Sequence, residues 1–173
     1  MKVERLHEAT AQDLQDLAAV LVDCVEGGAS VSFMQPLSLD KALGFWQRVT
    51  QSAARGERAL LVVRDGQGIA GTVQVVWDLP ENQPHRADIS KMLVHRRGRR
   101  RGCGAALMQA AEEVARQERK TLLVLDTASD EAQRLYARLG WQHCGVIPGF
   151  ALLPQGGLCA TTFMYRELQP IRA

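Results

Sequence analysis

Apolar residues recur along this chain at two different spacings, and each spacing predicts its own kind of element. Where they return every third or fourth residue, an amphipathic helix is expected. Four stretches have this pattern: residues 11–26, 38 to about 55, 105–117 and 131–139. Thr10, Ser38 and Ser129 stand at the starts of three of them, where a side-chain hydroxyl can cap the first turn. Asp13 follows Thr10 at the spacing of a capping box.

Seven shorter apolar segments predict β-strands. They cover residues 2–6, 59–64, 69–77, 86–94, 121–125, 141–146 and 160–168. The order β-α-α-β-β-β-α-β-α-β-β predicts an α/β protein of the α+β type, with helices packed on a mixed sheet. Because no repeat, low-complexity tract or long linker interrupts the pattern, we expect one domain over residues 1–173. In the third helix, the periodicity places Leu107 inward and Glu112 outward.

The basic charge of the chain is concentrated in one place. The net charge is +2, and residues 95–101 contain 5 of the 21 lysines and arginines. Without these five, 16 basic residues face 19 acidic ones, a balance of −3. Nucleic-acid binding would favour a broad basic face. The concentrated charge therefore predicts a small anionic ligand and no nucleic-acid partner.

Composition argues against a membrane protein and against a metal site. No apolar stretch approaches the roughly 18 residues that a membrane span needs, and the charged N-terminus lacks a signal-peptide core. Cys24, Cys103, Cys144 and Cys159 form no C-x-x-C pair and have no histidine cluster nearby. We expect reduced packing thiols, no metal, no membrane partner and a cytoplasmic location.

The basic segment joins a predicted strand to a predicted helix. Its glycines allow a close backbone approach to an anion, and the first amides of the helix lack partners within the helix. Such a turn predicts a phosphate site. A Walker loop is excluded because Gly-Lys-Ser/Thr is absent. The dinucleotide fingerprint is excluded because Leu107 stands where its third glycine is required.

Two motifs resemble one enzyme family. Residues 99–104 have the sequence RRRGCG, which fits the pattern Q/R-x-x-G-x-G/A. This resembles the pyrophosphate signature of the GNAT acyl-CoA N-acyltransferases. LYARLGW at residues 135–141 resembles a later motif of that family. The resemblance runs from about residue 25 to residue 168. It implies the GNAT fold, with about seven strands flanked by four helices, and acetyl-CoA as cosubstrate.

The resemblance also implies which residues hold acetyl-CoA. Backbone groups on the strand before the basic turn would bind the pantetheine arm, and the Leu93 amide would stabilise the oxyanion. Backbone amides and guanidinium groups of the turn would bind the pyrophosphate. The expected cofactor-binding residues are Met92, Leu93, Val94, Arg99, Arg100, Arg101, Gly102, Cys103, Gly104 and Ala105.

The reaction also needs a base and an acid. An alkyl ammonium has a pKa of about 10, so it must first lose a proton. The free amine then attacks the thioester through a tetrahedral intermediate. Asp88 and Asp126 match acidic positions of a family member that acetylates a toxic amino acid, although Asp88 replaces a longer Glu, which favours a water relay. Instead of serving as the base, Asp126 could cap a helix and Asp88 could form an ion pair with Arg86 or Lys91. Tyr136 matches the family's general acid, and a core tyrosine is its alternative.

The acceptor is less clearly encoded. Phe33 and Met34 lie in a loop that often covers the acceptor in this family, and Phe150 follows the sixth predicted strand. We expect them to contact a small primary amine, such as an amino-acid-like toxin or antibiotic. A peptide amine, and a non-catalytic acyl-CoA sensor, are the alternatives. The resemblance leaves a homodimer open, because many members pair through sheet edges or helices.

Overall fold

The computed structural model describes residues 2–169. It contains seven strands and four helices in the predicted order, with one short 3-10 turn at Arg96–Gly98. The helices are α1 (Ala11–Glu26), α2 (Leu39–Ala54), α3 (Cys103–Gln117) and α4 (Asp130–Arg138). The strands are β1 (Val3–Arg5), β2 (Arg58–Asp65), β3 (Gly68–Val76), β4 (Arg86–Val94), β5 (Leu122–Thr127), β6 (Gln142–Leu152) and β7 (Leu158–Glu167).

The strands form one mixed sheet in the order β1-β2-β3-β4-β5-β7-β6. β4 and β5 pair in parallel, whereas the other neighbouring strands are antiparallel. The predicted fold class, a seven-stranded mixed sheet with four helices, is therefore confirmed.

The central strands of the sheet, such as β2 and β3, are covered on both faces. Along β2, Leu61 and Val63 pack into an apolar cluster with α3, while Leu60 and Val62 pack into a second cluster with α1 and α2. Successive side chains of a strand point to opposite faces. An uninterrupted apolar run such as that of β2 is therefore typical of a strand buried on both sides.

Three helix starts are capped by their own side chains, and one is not. The Thr10 hydroxyl accepts a hydrogen bond from the Asp13 amide at 3.1 Å, and the Asp13 carboxylate accepts one from the Thr10 amide at 2.9 Å. Ser38 and Ser129 also cap their helices, as predicted. At α3 the N-cap is Gly102, which has a φ of 82° and offers no side-chain acceptor. The first turn of α3 therefore presents free amide groups.

Some predicted boundaries are wrong. α3 begins at Cys103 instead of residue 105, and β5 continues to Thr127, so that Asp126 lies within the strand. β6 reaches Leu152, and Phe150 lies inside it instead of after it. The sequence Pro148-Gly149 is typical of a strand end, but here the register shifts between Ile147 and Ala151 at the sheet edge, where an irregularity of this kind is tolerated.

Glu112 corrects another prediction. It is 6% exposed instead of facing outward, and its carboxylate accepts a hydrogen bond from the Trp141 indole at 3.1 Å. Arg116 and Arg166 lie within 3.5 Å and 3.3 Å of it. None of the four helices has the length and apolar character needed to cross a membrane.

Candidate active site

A crevice opens where the two parallel strands separate. β4 and β5 pair from Arg86 and Leu122 to Asp88 and Val124. Beyond that point they no longer pair, although β4 continues to Val94 and β5 to Thr127. Ligands of open α/β sheets bind outside the carboxyl ends of parallel strands. The fold therefore places a binding crevice between the two predicted motifs.

A bulge interrupts β4 beside this crevice. Thr72 of β3 pairs with Leu93, but Gln74 pairs with Ser90, so Lys91 and Met92 together oppose Val73. Lys91 has a φ of 49°, in the left-handed region that few side chains favour. A bulge leaves backbone groups without ladder partners. It lies at the start of the predicted pantetheine segment Met92, Leu93 and Val94, whose assignment, including the Leu93 amide as oxyanion donor, stays a prediction.

The arginines of the basic segment divide into two sets. In the first set, Arg96 is paired with the nearly buried Asp23, which also accepts the Arg96 amide at 2.8 Å. Arg97 donates to the Asp65 carboxylate at 2.9 Å and to the Ile69 carbonyl at 2.7 Å. These two arginines hold the turn against α1 and the β2–β3 hairpin. They are therefore structural.

The second set is available to a ligand. Arg99, Arg100 and Arg101 are exposed, and none of them pairs with a carboxylate within residues 2–169. In α3 the first backbone hydrogen bond runs from the Ala106 amide to the Gly102 carbonyl at 3.0 Å. The amides of Cys103, Gly104 and Ala105 precede it and have no acceptor among the described residues. Arg99 Nε donates to the Val94 carbonyl at 3.2 Å, which leaves its other guanidinium nitrogens for a ligand. Free amides beside guanidinium groups that lack a carboxylate partner in the described part of the chain fit a pyrophosphate.

Two members of this predicted site contribute only backbone. Cys103 is 3% exposed and its side chain packs in the core, so that only its amide, which has no acceptor among the described residues, can contribute to the turn. At Gly104, a Cβ atom would lie 2.9 Å from Leu135 Cδ2. The first turn of α3 therefore packs closely on α4, and this contact joins the two sequence motifs.

The structure places the two base candidates, Asp88 and Asp126, on one face of the sheet, whereas the acid candidate Tyr136 packs in the apolar cluster on the α3 side. Asp126 lies two residues after Val124, the pairing partner of Asp88, so the two carboxylates share one face of the sheet. Asp88 accepts a hydrogen bond from Arg86 at 2.6 Å, as its alternative assignment expected. Burial raises the pKa of Asp88; Arg86 opposes this shift and the negative charge of Asp126 adds to it. A raised pKa makes Asp88 a stronger base than an ordinary aspartate.

Asp126 does not cap α4. Its carboxylate accepts a hydrogen bond from the Thr161 hydroxyl at 2.7 Å, while Ser129 caps the helix. Asp126 lies in an exposed position at the open end of the crevice. It therefore has free acceptor capacity toward a ligand.

Tyr136 lies in the core beside the crevice, at 5% exposure, with its ring centroid 6.1 Å from that of Trp141. Burial raises the pKa of the Tyr136 phenol, and the charge of Asp126 raises it further. Its hydroxyl makes no hydrogen bond to another described residue. The phenol is therefore protonated at neutral pH and free to donate.

A cavity of about 290 Å³ lies at the open end of the crevice. Three predicted acceptor residues, Phe33, Met34 and Phe150, line it together with Asp126. The remaining lining residues are Ser30, Ser32, Ala128, Ala151, Leu152, Cys159 and Thr161. The Phe33 ring packs edge-on against Phe45 with centroids 5.2 Å apart. The cavity is thus apolar along its aromatic wall and polar near Asp126.

Sequence reasoning missed Lys91 as a residue of this site. Its ammonium donates to the Ser32 hydroxyl at 3.1 Å and lies 5.9 Å from the centre of the Phe45 ring. Burial lowers the pKa of Lys91, and the negative charge of Asp126 opposes that shift. No sequence signal distinguished it, because the bulge that turns Lys91 toward the loop depends on strand register.

A larger but open depression of about 490 Å³ lies between α1 and the basic turn. Asp23, His95 and Arg96 line part of it, and Asp23 and Arg96 already pair with each other. It contains none of the predicted site residues. Within residues 2–169, no group of three or more His, Cys, Asp or Glu side chains is arranged to hold a metal ion.

Comparison with known proteins gives the same fold. The family model described as the acetyltransferase (GNAT) family matches residues 31–141. Ribosomal-protein-alanine N-acetyltransferase from Brucella melitensis superposes with a TM-score of 0.81 at 22% identity, over 97% of this chain and 100% of that one. YncA from Salmonella typhimurium, solved with its cofactor acetyl-CoA, gives 0.79 at 18% identity, over 100% and 96%. A phosphinothricin acetyltransferase from Sinorhizobium meliloti, in complex with acetyl-CoA, gives 0.81 at 18% identity, over 96% and 88%.

Proposed function

The chain belongs to the acetyltransferase (GNAT) family, and on that premise we propose that it transfers an acetyl group from acetyl-CoA to the primary amine of a small molecule. The observation that carries the proposal is the uncapped start of α3. Free backbone amides and three arginines without a carboxylate partner among the described residues meet there, near the crevice of Asp88 and Asp126 and the core position of Tyr136. Neighbours with acetyl-CoA bound, YncA and the Sinorhizobium enzyme, support the choice of donor.

The donor site is proposed on the chemistry of its groups. A pyrophosphate needs hydrogen-bond donors and positive charge, and at the turn these are the amides of Cys103, Gly104 and Ala105 with the guanidinium groups of residues 99–101. The adjoining bulge in β4 offers backbone groups to an extended pantetheine arm. These donors would hold the thioester beside the two carboxylates.

The positions of the candidate side chains support the following proposed chemistry. Asp88 or Asp126, directly or through a water molecule, takes a proton from the acceptor ammonium, and the free amine attacks the thioester carbonyl. The Leu93 amide donates to the carbonyl oxygen as negative charge develops there. The Tyr136 phenol donates its proton to the departing thiolate. The attacking nitrogen then loses its second proton, directly or through water, to the Tyr136 phenolate, so that the phenol is regenerated and CoA leaves as the neutral thiol.

A small acceptor is proposed from the size and lining of the cavity. A volume of about 290 Å³ suits a metabolite-sized ligand. Further support comes from a sequence resemblance to tabtoxin resistance protein, which acetylates a toxic β-lactam amino acid. The similar segments are residues 27–31, 86–88, 91–94, 125–127 and 148–150. An amino-acid-like toxin or antibiotic is therefore the acceptor class that we propose, with a role in resistance.

A second copy of the chain is the proposed partner at the β6 edge. β6 is the outermost strand of the sheet, and Val146, Ile147 and Leu152 on it are between 45% and 55% exposed. Leu158 at the start of β7 is 72% exposed. Open strand edges with exposed apolar side chains favour edge-to-edge association. Pairing there would cover these side chains beside the acceptor cavity.

The donor proposal can be tested by binding. Changing Arg99, Arg100 and Arg101 together to Gln removes the unpaired charge of the turn. We expect acetyl-CoA affinity, measured by calorimetry, to fall about tenfold or more, because each charged hydrogen bond contributes about 1.5–3 kcal/mol. The matched control changes Arg48, Arg134 and Arg138 to Gln. These exposed arginines form no ion pair within the described chain, and their removal alters net charge equally.

The outcomes separate the competing functions. Unchanged affinity in the triple variant would remove the basic turn from the donor site. Competition between oligonucleotides and acetyl-CoA, with a steep salt dependence, would favour nucleic-acid binding instead. Acetylation of peptides, with no acetylation of free amino acids or polyamines, would contradict the small-molecule acceptor while keeping the enzyme class.

A further inference from the structure

Lys91 is held in an unusual way. Its backbone has a φ of 49°, and its ammonium donates to the hydroxyl of Ser32, which has a φ of 74°. Both residues are therefore in the left-handed region, which is costly for side chains other than glycine, asparagine and aspartate. Strained residues of this kind concentrate at ligand sites. Two of them joined by one hydrogen bond indicate a constraint beyond sheet packing.

The charge of Lys91 is only partly satisfied. The side chain is half-buried, and within residues 2–169 no carboxylate lies close enough to form an ion pair with it. An ammonium has three donors, and one of them is used by Ser32. A half-buried charge without a counter-ion is unfavourable. An anionic group on a ligand would supply the missing partner.

Asp126 presents the opposite situation in the same site. Its carboxylate lines the cavity and is hydrogen-bonded to a neutral hydroxyl, with no cation in ion-pair distance among the described residues. Asp88, by contrast, is already paired with Arg86. The negative charge of Asp126 opposes the lowering of the Lys91 pKa, although the two side chains do not form an ion pair. The cavity wall therefore has an unmatched negative group in Asp126, and the unmatched positive group of Lys91 adjoins that wall through its contact with Ser32.

We propose that Lys91, together with the Ser32 hydroxyl, binds a carboxylate of the acceptor, so that the enzyme selects amines that also carry an anionic group. The acceptor ammonium then lies toward Asp126 and its carboxylate toward Lys91. The inference rests on the proposed acetyltransferase function and narrows its substrate to zwitterionic, amino-acid-like amines. Lys91 acts here as a specificity residue and takes no part in proton transfer.

The test compares free amino acids with their carboxyl amides, which keep the amine and lose the negative charge. The wild-type enzyme is expected to show a kcat/KM at least about tenfold higher for the free acid than for the amide. Lys91→Met should lower kcat/KM for the acid by about ten- to hundredfold and change the amide by less than about threefold. Lys41→Met is the matched control, because Lys41 is an exposed lysine on α2.

A second variant and a binding measurement distinguish loss of the carboxylate site from misfolding of the Lys91→Met variant. Lys91→Asn also removes the charge, and asparagine tolerates a left-handed backbone better than most residues. Thermal stabilisation by the free acid, measured with CoA present, should disappear in both variants while stabilisation by CoA alone persists. Ser32→Ala should weaken the preference for the acid in the same direction.

Equal use of acids and amides by the wild-type enzyme, or an equal loss of both in Lys91→Met, would overturn the inference and leave the acetyltransferase function intact. Absence of CoA release with every amine would instead overturn the proposed function, and the carboxylate site with it. The carboxylate site at Lys91 would be supported if the preference for the free acid disappears when Lys91 is replaced and acetyl-CoA affinity stays unchanged.

Discussion

At the scale of single residues, the negative charge of Asp126 acts on three other groups of the site. It raises the pKa of Asp88 and of Tyr136, and it opposes the lowering of the pKa of Lys91. Burial is the largest cause of all three pKa shifts, and the charge of Asp126 is a further cause of each. Such perturbed groups in a crevice are typical of catalytic sites.

Removing the Tyr136 hydroxyl should separate catalysis from binding. Tyr136→Phe keeps the ring that packs on Trp141 and removes the proton donor. We expect kcat to fall by about a hundredfold or more, as for loss of a general acid, with acetyl-CoA affinity nearly unchanged. Steady-state kinetics and calorimetry measure the two quantities. Tyr165→Phe is the control, because Tyr165 is the other tyrosine and bonds to Gln142. Full activity in Tyr136→Phe would exclude it from proton transfer.

The pH profile should identify the base. If Asp88 takes the proton, activity is lost as the pH falls through its raised pKa, so the acid limb of kcat/KM lies above the ordinary aspartate range of about 3.9. Asp88→Asn should remove that limb together with most of the rate. Asp126→Asn removes the negative charge that raises the pKa of Asp88, and should move the limb to lower pH.

Asp40→Asn, an exposed aspartate in the first turn of α2, is the control for the loss of one carboxylate. An unaltered rate and acid limb in Asp88→Asn would assign the base elsewhere. Loss of the rate in Asp126→Asn alone would then point to Asp126.

The sequence predicted some of these residues and not others, for physical reasons. Asp88, Asp126 and Tyr136 were predicted because they match positions of the family resemblance, and their catalytic roles stay predictions. Lys91 was missed because its role depends on a one-residue register shift opposite Val73. Glu112 was placed outward because helical periodicity does not register that Trp141 and Arg166 approach from other elements.

At the scale of elements, the start of α3 differs from the other helix starts. Hydroxyl caps and the capping box made α1, α2 and α4 predictable from sequence. The start of α3 was placed two residues late, because a glycine N-cap with positive φ has no side chain to mark it. The same feature leaves the amides free for an anion. Within residues 2–169, the one helix start without a capping side chain, that of α3, is therefore the candidate donor site.

Gly102→Ala should therefore impair binding as well as stability. Gly102 has a φ of 82°, and an alanine there is strained by roughly 1–2 kcal/mol. Gly56 provides a matched control, with a φ of 76° and, as at Gly102, no atom within 4 Å of an added Cβ. Thermal unfolding should show similar losses for both alanine variants. Acetyl-CoA affinity should fall only for Gly102→Ala, and equal affinities would argue against α3 as the pyrophosphate site.

At the scale of the whole molecule, the sheet has one long open edge. The length of β6 was underestimated because Pro148 and Gly149 are typical of a turn, yet the strand continues past them to Leu152. This edge carries the proposed self-association surface. Val146→Lys places a charge on it, as edge strands that avoid pairing commonly do.

Light scattering after gel filtration should show a dimer for the wild-type chain and a monomer for Val146→Lys. Leu39→Lys is the control, because Leu39 is 46% exposed at the start of α2, away from β6. A wild-type chain that is monomeric at every concentration, or a dimer that survives the change, would contradict the β6 interface.

The measurement that tests the central claim most directly is amine-dependent release of thiol from acetyl-CoA, with mass spectrometry of the product. We expect CoA and an N-acetylated amine to appear in equal amounts with at least one small primary amine. Neither should appear without an amine, and Tyr136→Phe should slow both. Binding of acetyl-CoA with no thiol release for any amine or peptide would contradict the account and leave an acyl-CoA-binding protein without turnover.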